Sequence, residues 1–348
     1  MTFTEIASPS LLGVTEVARE LTFNNELWLK MVSFNGDMQY VHCKEILVDT
    51  IYGRAYRGVL LDENNFATYL LHTCFQSPVK DSRCQSGNIS KPLALKHVIV
   101  KSFHRASVEN RKHYWNKLDV GEDPFVEMET IIKLNEAKFM HVPKLHAVWL
   151  SANWFYSIAE DCGVDLYEFM KLSPAKDVVK NIFKNIVSMV VQLKTKFCLA
   201  HCDLSLENVC IDGEGNVKLI DFGLSRVVHA ETMNDSHSRA GKLVYMSPEK
   251  YFATPFHRYS TMKNEVWSLG ILLFIFCTKQ VPYRDSSNID FCDVKQSLEK
   301  LDDPGHWFCR AMRDSVGHKG IDLLKSMMTF SPQDRICINS ILEHPLFE

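Results

Sequence analysis

Apolar positions along this chain recur first every second residue and later every three to four, and the change of period divides it. Alternating runs begin at Glu45 (Glu-Ile-Leu-Val-Asp-Thr-Ile-Tyr) and return at Val59-Leu-Leu, His97-Val-Ile-Val-Lys-Ser-Phe, Ala147-Val-Trp-Leu and Trp154-Phe-Tyr-Ser-Ile-Ala, each predicting a strand. Residues 53–58, Gly-Arg-Ala-Tyr-Arg-Gly, read as a glycine-punctuated turn between two of them. Helical spacing predicts helices over 124–134 (Val126, Ile131, Leu134) and 175–197 (Val178, Val179, Ile182, Ile186, Met189, Val190, Leu193). Further upstream, Ser10 fits the cap of a helix running through Leu11, Leu12, Val14, Val17, Ala18 and Leu21. Beyond residue 208 an apolar pair, Val209 and Ile211, precedes Asp-Gly-Glu-Gly-Asn and a second short apolar run, 217–220. That pattern predicts a hairpin. The expectation is an α+β chain: an extension at 1–45, a strand-rich part at 46–160 interrupted by a polar insertion at about 62–96, and a helical part at 161–348.

Composition narrows the function classes. The 348 residues are 46% hydrophobic, enough to bury a full core, and 39 basic residues stand against 42 acidic ones. No basic stripe points to nucleic acid and no polybasic run to a membrane surface. The longest apolar run, 269–277, is too short to span a bilayer, and the first residues lack a signal pattern. The 11 cysteines have no paired spacing, so reduced thiols and a cytoplasmic or nuclear setting are expected.

The hairpin places Asn208 and Asp221 at the same end of two paired strands, with Asp203 five residues before Asn208. An amide and a carboxylate so placed suit a divalent cation, and the nearby Asp203 suits a proton acceptor. His-Cys-Asp203-Leu-Ser-Leu-Glu-Asn208 followed by Asp221-Phe-Gly resembles the catalytic loop and metal-binding motif of the protein-kinase superfamily, Ser/Thr type. The resemblance runs over about residues 46–348 and implies a two-lobed fold binding ATP and Mg²⁺ between its lobes. It makes Asp203 the base for a substrate hydroxyl, and Asn208 and Asp221 the metal ligands. Lys101 becomes the lysine of the nucleotide phosphates and Glu127 its helix-borne partner, with Glu129 as the competing candidate. Nucleotide contacts fall to Tyr52, Gly53, Ala55, Gly58, Leu60, the backbone of Glu160 to Cys162, and Cys210 beneath adenine. Ser247-Pro-Glu249 matches the end of the activation segment, and Glu249 with Arg335 matches a buried ion pair. The implied partners are proteins with Ser or Thr acceptors; residues 1–45 and 62–96 are candidate contacts for a regulator.

Four departures matter. Ala55 replaces a glycine of the nucleotide loop. Cys202 stands where the family usually has the arginine that gathers an activation-segment phosphate, so switching through Ser225, Thr232, Ser236 or Ser238 is disfavoured. Ser205 replaces the usual lysine facing the transferring phosphoryl group, while Lys242 stands where threonine is usual, as though lysine and hydroxyl had changed places. Glu265 replaces the aspartate that braces the loop backbone. Lys242 is therefore expected to supply the missing charge. A nucleotide-binding scaffold without transfer is the alternative reading.

Overall fold

The computed structural model describes residues 15–16, 19–23, 26–32, 38–49, 53–62, 95–104, 106–107, 122–150, 153–228, 234–286 and 289–348. These divide into two compact units, 1–112 with 143–161, and 113–142 with 162–348.

The first unit is an eight-stranded sheet. Its strands are β1 (Thr15–Glu16), β2 (Arg19–Phe23), β3 (Glu26–Val32), β4 (Met38–Asp49), β5 (Gly53–Asp62), β6 (Lys96–His104), β7 (Leu145–Leu150) and β8 (Trp154–Glu160), in the spatial order β1-β7-β8-β6-β5-β4-β3-β2. Every pairing is antiparallel except β1 with β7. Alternation puts Leu29, Val41, Val98, Val100, Trp149 and Ile158 into one buried cluster, and Trp28, Tyr40, Val59 and Leu61 into another.

Two expectations fail here. The helix expected over 10–21 is strand wherever it is described, at Thr15–Glu16 and Arg19–Phe23. Pairing with β3, Leu21 opposite Trp28 and Phe23 opposite Glu26, overrides a helical spacing that was only local. The sheet thus begins well before residue 46. Nor is 53–58 a turn. Gly53, Ala55 and Gly58 lie inside β5, paired to β4 (Val48 with Ala55) and to β6 (Ala55 with Lys101). The glycines have another cause. A Cβ at Gly53 would stand 1.9 Å from the Ser102 carbonyl oxygen, and one at Gly58 2.6 Å from that of His42.

The second unit is mainly helical. It contains α1 (Pro124–Glu136), α2 (Leu166–Lys171), α3 (Lys176–Phe197), α4 (Pro248–Tyr251), α5 (Thr261–Thr278), α6 (Phe291–Glu299), α7 (Trp307–Met327, broken at Gly317) and α8 (Ile338–Ile341). Every residue of α5 is buried, its first turn carrying the polar Lys263, Asn264 and Glu265 and the rest mostly apolar. The expected helices appear as α1 and α3; Asp123 caps α1, its Oδ1 accepting from the Phe125 N–H at 2.9 Å. The sequence reading grouped α1 with the strands. Here the Asp123 N–H donates to the Gly223 carbonyl at 3.0 Å and Thr130 shares a 3.1 Å hydroxyl bond with Ser225, joining α1 to the second unit. Short strands β9 (Val164–Asp165), β10 (Leu199–Ala200), β11 (Val209–Ile211), β12 (Val217–Leu219) and β13 (Arg226–Val227) complete it.

Candidate active site

The expected hairpin is present. β11 pairs with β12, Val209 opposite Leu219, around a turn in which Gly215 has φ 86°. Asp212 Oδ1 accepts from the N–H groups of Glu214 and Asn216, both at 2.9 Å, fixing the turn. The Ile220 N–H donates to the Asn208 carbonyl at 3.0 Å, so Asn208 and Asp221 lie at one end of the hairpin.

Before it, α3 ends at Cys198 in the left-handed region (φ 51°), and β10 pairs with β13. Residues 201–203 are then held on every side. The His201 ring is buried; its Nε2–H donates to the Ile220 carbonyl at 2.9 Å and its Nδ1 accepts from the Asp203 N–H at 3.3 Å. Glu265, wholly buried on α5, accepts from the N–H groups of His201 (3.2 Å) and Cys202 (2.8 Å). The longer carboxylate therefore does reach the loop. Burial pushes its pKa up against these bonds and the His201 field. Cys202 has φ 69°, uncommon for a residue with a side chain. Its thiol lies 3.8 Å from the Ala200 carbonyl, and burial pushes its pKa up to about 12.

Asp203 is fixed through both carboxylate oxygens. Oδ1 accepts from the Lys242 N–H at 3.2 Å, and Oδ2 from Asn208 Nδ2 at 2.7 Å. The same Asn208 nitrogen donates to the Asp203 carbonyl at 2.8 Å. With both amide hydrogens directed at Asp203, Asn208 has its carbonyl oxygen to offer a cation. Asp221, at φ 65°, offers a carboxylate. Two hard oxygen ligands fit Mg²⁺, which takes few protein ligands and completes its shell with water and phosphate.

Lys242 and Ser205 meet, as expected. Lys242 Nζ donates to Ser205 Oγ at 2.5 Å and lies 3.4 Å from Glu207 Oε2 and 3.8 Å from Asp203 Oδ2. Burial raises the Glu207 pKa, but its own backbone N–H, the Lys242 charge and Ser205 outweigh that and hold it below the ordinary value. Gly241, at φ 111°, leaves room beside Asp203, because a Cβ there would stand 3.1 Å from Oδ1. Downstream, Arg335 clasps Glu249 with two nitrogens at 2.6 and 3.0 Å, as expected. Of the hydroxyls considered for phosphorylation, Ser225, Ser236 and Ser238 are buried, Ser236 accepting from Arg226 at 2.8 Å, and Thr232 lies outside the described residues.

The other expected nucleotide residues are distributed over both units. Gly53, Ala55, Gly58 and Leu60 are on β5, Lys101 is on the adjacent β6, and Tyr52 lies outside the described residues. The N–H of Glu160 donates to the Lys144 carbonyl at 2.9 Å and that of Asp161 to the His97 carbonyl at 3.3 Å; these two donors serve the sheet. Cys162 and Cys210 are buried in the second unit, and Glu127 is on the first turn of α1. Glu129 pairs instead with Lys133, at 2.5 Å. Sequence reasoning missed Tyr245, whose hydroxyl accepts from the Leu206 N–H at 3.3 Å, and Lys250, a buried lysine after Ser-Pro-Glu. Nothing local to either position marks it as touching the loop.

Comparison with known proteins bears on the same region. The model of the protein kinase domain matches residues 88–347, leaving β1 to β5 outside the match. The chain is 28% identical over 232 residues to the serine/threonine-protein kinase CHK1 of Saccharomyces cerevisiae, covering 64% of this chain and 42% of that one. It is 29% identical over 236 residues to the maternal embryonic leucine zipper kinase of Danio rerio, covering 66% and 32%. With the serine/threonine-protein kinase kin-29 of Caenorhabditis elegans the identity is 27% over 230 residues, covering 63% and 26%. The chain spans less than half the length of these relatives.

Proposed function

The chain belongs to the protein kinase family, and on that premise we propose that it transfers the γ-phosphoryl group of ATP to Ser or Thr hydroxyls of proteins. One observation carries the reading: Asp203 is held through both oxygens, by Asn208 Nδ2 at 2.7 Å and by the Lys242 N–H at 3.2 Å, in a loop that Glu265 braces from beneath. A carboxylate so fixed accepts the proton of an incoming hydroxyl without having to reorganise. Asn208 and Asp221 would hold Mg²⁺, which supplies charge neutralisation at the phosphates when bound. Lys242 supplies the cation that Ser205 lacks; its ammonium lies on Ser205 Oγ, near the proton acceptor, where charge moves during transfer. Lys101 and Glu127 are assigned to the nucleotide, with Gly53, Ala55, Gly58, Leu60, Glu160 through its carbonyl, Cys162 and Cys210.

Protein substrates follow from the same reading, and a regulator is assigned to residues 1–45 or 62–96. Among the described residues no helix is long and apolar enough to cross a membrane, and we place the chain in the cytoplasm or nucleus on its scattered cysteines.

The test is radiolabelled transfer from Mg-ATP to a generic protein substrate by wild type and Asp203→Asn. Transfer is expected from wild type and to fall by about 10³-fold or more in the variant, with ATP binding retained. Equal background from both, with nucleotide still bound, would make the chain a scaffold, the reading that Cys202 and Ser205 favour.

A further inference from the structure

Lys250 is 3% exposed, and a buried ammonium is costly unless it is bonded. It sits on α4, whose first turn is capped by Ser247; the Ser247 N–H and hydroxyl both donate to Asn264 Oδ1, at 3.0 and 3.1 Å. From there Lys250 reaches back 48 positions in sequence, and its Nζ donates to the Cys202 carbonyl at 3.3 Å. The charged and titratable groups around it are Cys202 and Asp203 on the loop, Glu265 on α5 and Arg226 on β13, and burial lowers its pKa. Gly241 stands between the two charges: a Cβ there would be 3.1 Å from Asp203 Oδ1 and 3.4 Å from Lys250 Nζ.

We propose that Lys250 is a positioning residue for Asp203, holding the peptide plane that joins Cys202 to Asp203. That plane is held at both edges, its oxygen by Lys250 and its N–H by His201 Nδ1 at 3.3 Å. The preceding N–H, of Cys202, is held by Glu265 at 2.8 Å. Cys202 is thereby clamped between an anion and a cation in a left-handed conformation that residues with a side chain seldom adopt. Without the cation, the carbonyl loses a charge-assisted bond, the strained residue relaxes, and the Asp203 carboxylate moves with it. The position before Asp203, where the resemblance implies an arginine, thus has its positive charge brought from α4.

The consequence for transfer rests on the kinase reading; the clamp does not, so two readouts separate them. Amide hydrogen exchange at residues 202–204 and steady-state kinetics are measured on the full chain for wild type, Lys250→Met and Lys250→Gln. In Lys250→Met, exchange at 202–204 should rise at least tenfold while α5 and β11 are unchanged. The kcat should fall by about 10²-fold with the ATP KM within twofold, as misplacement of a fixed group predicts. Lys250→Gln, which keeps a donor without the charge, should lie between. Exchange at 202–204 that is unchanged, or that rises equally throughout α5, would overturn the proposal, as would a wild-type kcat in Lys250→Met. Should Lys250→Met not fold, Lys250→Gln decides by the same criteria. A wild-type chain that transfers nothing counts against the kinase reading alone, because exchange still decides the clamp.

Discussion

The loop at 201–208 and the segment at 241–250 carry opposite anomalies. Where the resemblance implies cations, the loop has Cys202 and Ser205; the segment has lysines at 242 and 250. The two sets meet atom to atom, Lys242 Nζ on Ser205 Oγ at 2.5 Å and Lys250 Nζ on the Cys202 carbonyl at 3.3 Å. A site that works by charge needs the charge at a point in space, and which strand of chain delivers it is secondary. Taken alone, either region would suggest a damaged enzyme. Together they bring two lysines of the facing segment onto Ser205 and the Cys202 carbonyl, the two loop positions without a cation of their own.

The strongest way to break this pairing is to release the segment from its anchor. The Arg335 side chain is wholly buried, clasps Glu249, and lies 5.0 Å from the Trp267 ring. Arg335→Met leaves the Glu249 carboxylate without its counter-charge, and about 3–5 kcal/mol of stability should be lost. Urea denaturation measures it; a loss under about 1 kcal/mol would show that the segment is held by something else.

Next in size is Lys242→Met. Removing one preorganised charge from a transfer site costs about 10²–10³-fold in kcat, so initial rates at saturating Mg-ATP should fall by that much with the fold intact. An unchanged rate would show that Lys242, although it lies on Ser205, does not supply the charge used in transfer. The exchange variant Ser205→Lys with Lys242→Thr sharpens the point. If only the location of the charge matters, the double variant should recover to within about tenfold of wild type, a non-additivity that contacting residues permit. Recovery no better than Lys242→Met alone would mean that the loop can no longer accept a lysine.

Much of this was legible in the sequence. Asp-Gly-Glu-Gly-Asn specifies its hairpin locally, and that hairpin aligns Asn208 with Asp221. That Ser205 and Lys242 face one another was readable because both positions sit inside recognisable motifs. What failed depended on distant partners. Arg19–Phe23 is a strand because β3 pairs with it. Gly53 and Gly58 are glycines because the Ser102 and His42 carbonyls, from neighbouring strands, occupy the space of a Cβ. Lys250 belongs with them. No spacing rule connects it to Cys202, and only the fold brings its ammonium to that carbonyl.

The smallest effect discriminates most finely. Glu207 Oε2 lies 3.4 Å from Lys242 Nζ, with the two side chains 46% and 38% exposed, so their attraction is screened and worth at most about 1 kcal/mol. The Glu207 pKa is depressed in the fold. Its contribution is therefore present above the ordinary carboxylate pKa and lost as pH falls through the depressed value. Between pH 6 and 8 the group stays charged, so Glu207→Gln should shift kcat by less than about threefold, evenly across that range. Any stability difference from wild type should close on acidification through the depressed Glu207 pKa, below the ordinary carboxylate range. The alternative outcome is specific. A rise in kcat of tenfold or more in Glu207→Gln would mean that Glu207 holds the ammonium back from the phosphates. The loop would then be restraining the charge that the segment brings, and the resting position of Lys242 on Ser205 would be a point of control.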